Sequence, residues 1–371
     1  IAHRIFQMTH GNALFVQEVL RTFIKNKTVY YDVQDMHWHY QFEQLQQTIS
    51  NIDLLSFIES RMNDLSEPAL KLLQNASCFG HHFDLQLLLQ LMKNPYYEVL
   101  SYLEELIANG FIIEVNRKLD LEQAKMSETT QQGNVVQFQF VHDRIQQSAY
   151  EMLDHDVRLR THFEISQLFL QEDVLENQLQ SLVRHLNQCM VLLSTTEHQQ
   201  LAIWNYELGM KAKMAGLFNN ARQYFNQSLR FLPDNKWQIM REQSLEIYME
   251  IGECEYLIGN YQLSKHYIYE ALDNALTKLE QLKIYRLMSF IFIEEHNSEM
   301  ELDSGLKALD LCQMNIKLEP KSWEVAKEFF QLKFSLRNQT NEQLLSLKPI
   351  QDEEIDVIIQ IMINVIGNSF R

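Results

Sequence analysis

The chain has 371 residues, of which 46% are hydrophobic, with 10 glycines and 5 prolines; this is room for two or three helical domains and little material for disordered linkers. Its 32 basic residues against 49 acidic ones leave a net charge of −17, which repels phosphate backbones and anionic membranes and argues against a nucleic-acid partner. No apolar run approaches the roughly 20 residues of a membrane span, and Cys78, Cys189, Cys254 and Cys312 stand too far apart for a zinc or redox pair.

The start, Ile1-Ala2-His3-Arg4, has neither an initiating Met nor a signal-peptide core, and predicts a cytoplasmic fragment that begins inside a domain. Gly11-Asn12-Ala13 leads from a turn into an amphipathic helix, and by residue type alone is a turn with a cap. Residues 28–50 gather Tyr30, Tyr31, His37, Trp38, His39 and Tyr40 without a helical or strand period. No third and fourth ligand accompanies His37 and His39 at recognisable spacing, so no metal site is assigned. A phosphate-cradling Gly-x-x-x-x-Gly-Lys-(Ser/Thr) loop occurs nowhere in the chain.

From Asn51 to Val115 the pattern reads helix, helix, helix, helix, strand. Leu54, Leu55, Ile58, Met62 and Leu65 line the first helix, and Ser66-Glu67-Pro68 caps the second, which Gly80 stops. Asp84 caps Leu85 to Met92, and Tyr97 to Ala108 ends at Gly110. Phe111 to Val115 is a strand, the polar stretch Leu119 to Gly133 an exposed wing, and Val135 to Phe140 the returning strand, with Val136, Phe138 and Phe140 on one face. Helices followed by a two-stranded wing make a winged-helix arrangement. Its recognition helix would carry Glu98, Glu104 and Glu105, which DNA would repel.

At Val141-His142-Asp143-Arg144 the strand gives way to a helix bearing Ile145, Ala149 and Met152. A His-Asp-Arg cluster there meets free backbone N–H groups and the positive end of the helix dipole, a setting for a phosphate. The plainer alternative has Asp143 capping the helix and His142 packing locally.

Beyond Asp154 the chain reads as helix after helix, at 157–171, 175–192, 197–215 and 218–232. Gly209 and Gly252, Gly216 and Gly259, and Ala221 and Ser264 recur at the same 43-residue register, which marks stacked helical hairpins. Small residues at these offsets let paired helices approach closely. Gly305 and Ala308 fit a third crossing. The chain closes inside an apolar helix, Glu354 to Gly367, without a capping repeat, which predicts a truncated end.

The stretch Phe140-Val141-His142-Asp143-Arg144-Ile145-Gln146-Gln147-Ser148-Ala149-Tyr150 resembles the Phe-x-His-Asp-Arg-(Val/Ile)-Gln-Gln-Ala-Ala-Tyr signature of large bacterial STAND-type signalling ATPases, with Ser148 in place of the first Ala. Gly11-Asn12-Ala13-Leu14-Phe15-Val16-Gln17-Glu18 resembles their Gly-Asn-Pro-Phe-Phe-Val-x-Glu lid motif near the adenine, departing at Ala13 and Leu14. His185-Leu186-Asn187 also matches the family, and by residue type alone is at least as well read as a surface His on a helix. Trp38 stands where the family has a packing Trp.

The resemblance implies a mainly α fold: residues 1–50 as the lid remnant of an AAA-like nucleotide-binding domain, 51–155 as a winged helix, and 156–371 as a TPR-like α-solenoid. It implies nucleotide sensing by His142, Asp143 and Arg144, a lid contact at Gly11, Asn12 and Ala13, and repeat packing at Gly209, Gly216, Ala221, Gly252, Gly259 and Ser264. The fragment would have no catalytic residue and bind no cofactor alone. ATP or ADP with Mg would belong to the parent, together with a kinase-type output and nucleotide-dependent assembly. Partners would be a protein on the repeats and neighbouring domains of the same chain, with no membrane insertion. The same periodicity fits a stand-alone helical-repeat scaffold with no nucleotide role. An independent enzyme is the poorest fit, because no triad, carboxylate pair or metal spacing stands out.

Overall fold

The computed structural model describes residues 2, 5–6, 13–25, 27–41, 54–115, 136–171, 175–314, 316–317, 320–337, 340, 343, 346 and 350–369. The fold is mainly α, with two small sheets among the described residues. Two compact units divide it, Ile1–Leu192 and Leu193–Arg371.

In the first unit, α1 (Ala13–Lys25) buries Val19 and Phe23 and packs on the hairpin of β1 (Val29–Asp32) and β2 (His37–Tyr40). This hairpin falls in the aromatic stretch that shows no strand period. Aromatic or imidazole side chains occupy both faces, so apolar and polar residues do not alternate. Trp38 is not a packing anchor: it is exposed, edge-on to Tyr31 with ring centroids 5.5 Å apart.

Helices α2 (Leu54–Asn63), α3 (Glu67–Phe79), α4 (Leu85–Met92) and α5 (Tyr96–Ala108) follow the predicted apolar spacing. Ser66 caps α3, accepting from the Ala69 N–H, and Asp84 caps α4, accepting from the Gln86 N–H at 2.6 Å. The sheet has three strands rather than two: β5 (Gln137–Phe140) lies between β3 (His82–Asp84) and β4 (Ile112–Glu114), antiparallel to both. Three residues are too few to establish a period, and β3 forms because Phe83 buries against Phe138 and Phe140, with ring centroids 5.8 and 5.7 Å away. The stretch expected to form the wing lies outside the described residues.

After β5 come α6 (Asp143–Glu151), packed on α2 and α3, then α7 (His155–Gln171) and α8 (Leu175–Gln188) as an antiparallel pair. Helix α7 also packs on α3 and α4, so this pair shares the core of the first unit.

The second unit is a run of helical hairpins: α9 (Thr195–Met214) with α10 (Phe218–Phe231), α11 (Arg241–Ile258) with α12 (Tyr261–Asp273), and α13 (Lys278–Glu294) with α14 (Ser298–Leu311). Gly209 sits where α9 crosses α10, and Gly252 where α11 crosses α12. A Cβ on Gly209 would lie 2.4 Å from a Phe225 ring carbon, and one on Gly252 would lie 2.5 Å from Ile268 Cδ1. Buried Ala221 and Ser264 face these crossings, and the Ser264 hydroxyl donates to the Gly252 carbonyl at 2.6 Å. Gly216 and Gly259, at φ +75° and +91°, make the turns between helices. The third crossing differs: Gly305 of α14 meets Val365 of α16 (Glu353–Ser369), not its hairpin partner. Helix α15 (Ser322–Leu336) stands between them in sequence, so the period of the first two hairpins breaks there.

Candidate functional site

The strand-to-helix junction is built on β5. Phe138 and Phe140 anchor the strand in the core, and backbone bonds from the Phe140 N–H to the His81 carbonyl and from the Val141 N–H to the Phe111 carbonyl, each 3.0 Å, carry the extended chain past its end. His142 is still extended, at φ −155° and ψ 147°. Its carbonyl accepts from the Ile145 N–H, and its Nδ1 accepts from the Arg144 N–H at 3.1 Å. His142, not Asp143, is therefore the cap of α6. An Asp before a helix is the commoner cap, but the strand runs one residue further than the motif suggests.

Asp143 is the first helical residue, 85% exposed, and its carboxylate reaches sideways to His81 Nδ1 at 2.8 Å, an ion pair when that ring is protonated. Arg144 is exposed and turns along its own helix, donating to Gln147 Oε1 at 3.3 Å. The triplet thus divides: His142 holds the turn, Asp143 pairs with His81 just before β3, and Arg144 lies on the solvent face. Gly11 and Asn12 lie outside the described residues; Ala13 begins α1, and its side chain lies outside them too.

Behind the junction is a buried polar chain that the sequence reading misses. Tyr150 of α6 bonds His162 Nε2 of α7 through its hydroxyl at 3.0 Å, and His162 Nδ1 lies 2.9 Å from His185 Nδ1 of α8. His185 is fully buried, not a surface residue. It stacks on Phe169 and meets Phe79 edge-on. A signal was present: His185 falls on the same stripe of α8 as buried Leu182, Leu186 and Cys189. Burial, with Arg184 and Arg158 nearby, holds His162 down to about 4, and burial with Arg184 and His162 holds His185 down to about 2. Both rings are neutral, and one N–H can serve the pair. Arg184 donates to the Phe79 carbonyl at the C-terminal end of α3 at 2.6 Å, and Gln146 donates to the Ser77 carbonyl at 2.7 Å. Three helices are thereby clamped around the start of α6.

In the second unit the first helices of the hairpins carry two grooves. One of about 230 Å³ is lined by Ile203, Tyr206 and Glu207 of α9, and by Gln243, Glu246 and Ile247 of α11. The other, about 180 Å³, lies among Met249, Glu253 and Tyr256 of α11, and Lys283, Arg286 and Phe290 of α13. Burial, then Glu246 and Glu250, push the Tyr206 hydroxyl pKa well up, which leaves it a neutral donor beside carboxylates. Each groove combines aromatic surface with charge, acidic in the first and mixed in the second.

At the tip of the β1–β2 hairpin, ligand atoms of Asp32, Asp35 and His39 lie within 4.8 Å of one another. His39 Nε2 pairs with Asp35 at 2.5 Å, and the carboxylates also accept from the Gln34 and His37 N–H groups. These partners account for the grouping without an ion. No helix among the described residues is long and apolar enough to cross a membrane.

No family model matches the chain. It is similar to the hybrid signal transduction histidine kinase G of Dictyostelium discoideum, with 24% identity over 318 residues, covering 73% of this chain and 9% of that one. The chain therefore spans less than a tenth of that relative's length. Among solved structures it aligns over 99% of its length with 51% of a Signal Transduction ATPase with Numerous Domains carrying a tetratricopeptide repeat sensor, from Pyrococcus horikoshii, at 13% identity and a TM-score of 0.31. A score that low carries no argument about this chain.

Proposed function

We propose that the chain is a regulatory and protein-interaction segment of a nucleotide-switched signalling protein. Its junction at His142 reads the nucleotide held by a neighbouring domain, and its helical repeats receive a protein input. A kinase-type output lies elsewhere in the parent, in keeping with the name of the Dictyostelium relative. The observation that carries this reading is the cap of α6. The cap bond from the Arg144 N–H to Nδ1 holds the His142 ring at the positive end of a helix dipole, where an imidazole N–H can donate to an anion. A phosphate oxygen of bound ADP is a fitting acceptor. Asp143 is turned aside toward His81. The nucleotide, with Mg, belongs to the parent, and assembly of that parent would follow its nucleotide state.

A hydrogen bond to a charged phosphate contributes roughly 1.5–3 kcal/mol, about ten- to a hundredfold in an ADP-closed to open ratio. The test is ADP affinity of the full-length parent carrying His142→Ala, beside Asp143→Ala as the control for the turn. ADP binding weakened at least about tenfold only in the His142 variant supports the reading; equal affinities in well-folded proteins refute it. The purified fragment, having no phosphate-cradling loop, should hydrolyse no ATP above buffer. If the nucleotide role fails, the grooves with Tyr206, Glu246 and Tyr256 still favour a protein-binding scaffold.

A further inference from the structure

Helix α15 has no buried residue. Trp323, Val325, Phe329, Phe330, Leu332 and Phe334 are each more than half exposed. At 100° per residue, Val325, Phe329, Leu332 and Leu336 fall on one side of Ala326, and Trp323, Phe330 and Phe334 on the other, an apolar arc of roughly 200°. Glu324, Glu328, Gln331 and Ser335 make up the opposite face. Two cations interrupt the arc, Lys333 and Arg337, both at its C-terminal end. An arc this wide on an isolated helix is far more apolar than water-facing helices carry.

Helix α16 supplies a matching surface. One of its faces, Val357, Ile358, Ile361 and Val365, is buried against α13 and α14. The adjoining face carries Ile355, Ile359, Ile363 and Ile366, all exposed, one stripe along the whole helix. At its N-terminal end stand Asp352 and Asp356; Asp352 caps the first turn through the Ile355 N–H, and Asp356 accepts from Gln360.

We propose that α15 is a strap that closes antiparallel onto the isoleucine stripe of α16. In that orientation Leu336 meets Ile355, Leu332 meets Ile359, and Phe329 and Phe330 meet Ile363. The two ends then match in charge: Lys333 and Arg337 come beside Asp352 and Asp356. The opposite, parallel orientation would set Asp352 and Asp356 beside Lys321 and Glu324, a mixed charge in place of a matching one, and leave Lys333 and Arg337 against apolar side chains. Closure also puts the cations of α15's last turn against the acids of α16's first, each where its helix dipole favours it. Residues 337–352 join the two helices, and sixteen residues reach at most about 53 Å when extended, ample for a hairpin. Such a tether makes α15 an occupant present at millimolar effective concentration, ahead of a second copy of the chain. In the structure described here the strap lies open, so both apolar faces are the surfaces that closure removes from water.

Hydrogen exchange of the full 371-residue chain, read by mass spectrometry over a tenfold range of protein concentration, tests the strap. Amides of residues 325–336 should be protected at least about tenfold over the isolated peptide 320–340, with no dependence on concentration. Phe329→Ser with Phe330→Ser, which leaves the repeat core untouched, should remove that protection, and so should Ile359→Ser with Ile363→Ser. Lys333→Glu with Arg337→Glu should weaken it, and adding Asp356→Lys should restore it, a rescue that loss of helix alone would not give. Exchange of α15 at the rate of the isolated peptide overturns the proposal. Protection that rises with protein concentration also overturns it, by showing that a second copy is the occupant.

Discussion

The buried His162–His185 pair makes a quantitative prediction about acid. Unfolded, each imidazole takes up a proton near its ordinary pKa of about 6.5. Folded, His162 resists protonation down to about 4 and His185 down to about 2, because burial in the α7–α8 interface disfavours the charged ring. Between those values the unfolded chain binds more protons than the native one, so stability is complete above pH 6.5 and falls as the pH drops. From pH 7 to pH 5 the loss is about 2 kcal/mol for each ring, or about 4 kcal/mol together. Carboxylates contribute little in this window, since they titrate mainly below it. Urea unfolding followed by far-UV circular dichroism, at half-unit steps of pH, measures the slope for the first unit. His185→Phe fits between Phe79 and Phe169 and should halve that slope while costing about 1–3 kcal/mol at pH 7, because His162 loses its partner. A flat profile between pH 7 and 5, or an unchanged slope in the variant, would refute the neutral buried pair.

Three further outcomes are expected. Gly252→Ala should destabilise the second unit by about 1–2 kcal/mol in urea, the overlap with Ile268 outweighing the helix-propensity gain, whereas Gly367→Ala, with nothing within 4 Å, should be neutral or stabilising. Ser148 is buried and its hydroxyl makes no hydrogen bond among the described residues, so Ser148→Ala should raise stability by about 1 kcal/mol; a lower urea midpoint would show that the hydroxyl has a partner. Burial opposes the charge of Glu280, yet Arg241 in a two-pronged contact and the Thr277 and Leu276 N–H groups outweigh it and hold the carboxyl down to about 2. Glu280→Gln should therefore cost about 1 kcal/mol at pH 7 after allowance for solvent screening; the difference should vanish as the pH falls from 4.5 toward 2, where the native carboxyl is itself protonated.

The helices were legible where one face is apolar for three turns or more, as in α3, α5 and α8, because burial of that face is what makes the helix. The close crossings at Gly209 and Gly252 were legible as a period, since each hairpin repeats the same steric demand. Strand β3 and the β1–β2 hairpin were not, one being too short and the other aromatic on both faces. The junction was located but assigned to the wrong capping residue, because the sequence does not reveal that β5's extended backbone persists through His142. His162 and His185 escaped for a different reason. A polar residue on an apolar stripe looks like a flaw in the pattern until its partner is found on another helix, and that pairing exists only in three dimensions.

The bond from Arg184 to the Phe79 carbonyl also sets an order of events during synthesis. Helix α3 can form as soon as it leaves the ribosome, but its last carbonyl is closed by a guanidinium 105 residues downstream. At the usual rate of about 5–20 residues per second, that delay lasts roughly 5–20 s. Through it, the nascent unit holds the Phe79 carbonyl and the apolar backs of α3 and α4 without the α7–α8 pair to cover them. A chaperone that recognises such surfaces should therefore bind nascent chains arrested between residues 155 and 184, and let go once Arg184 has emerged.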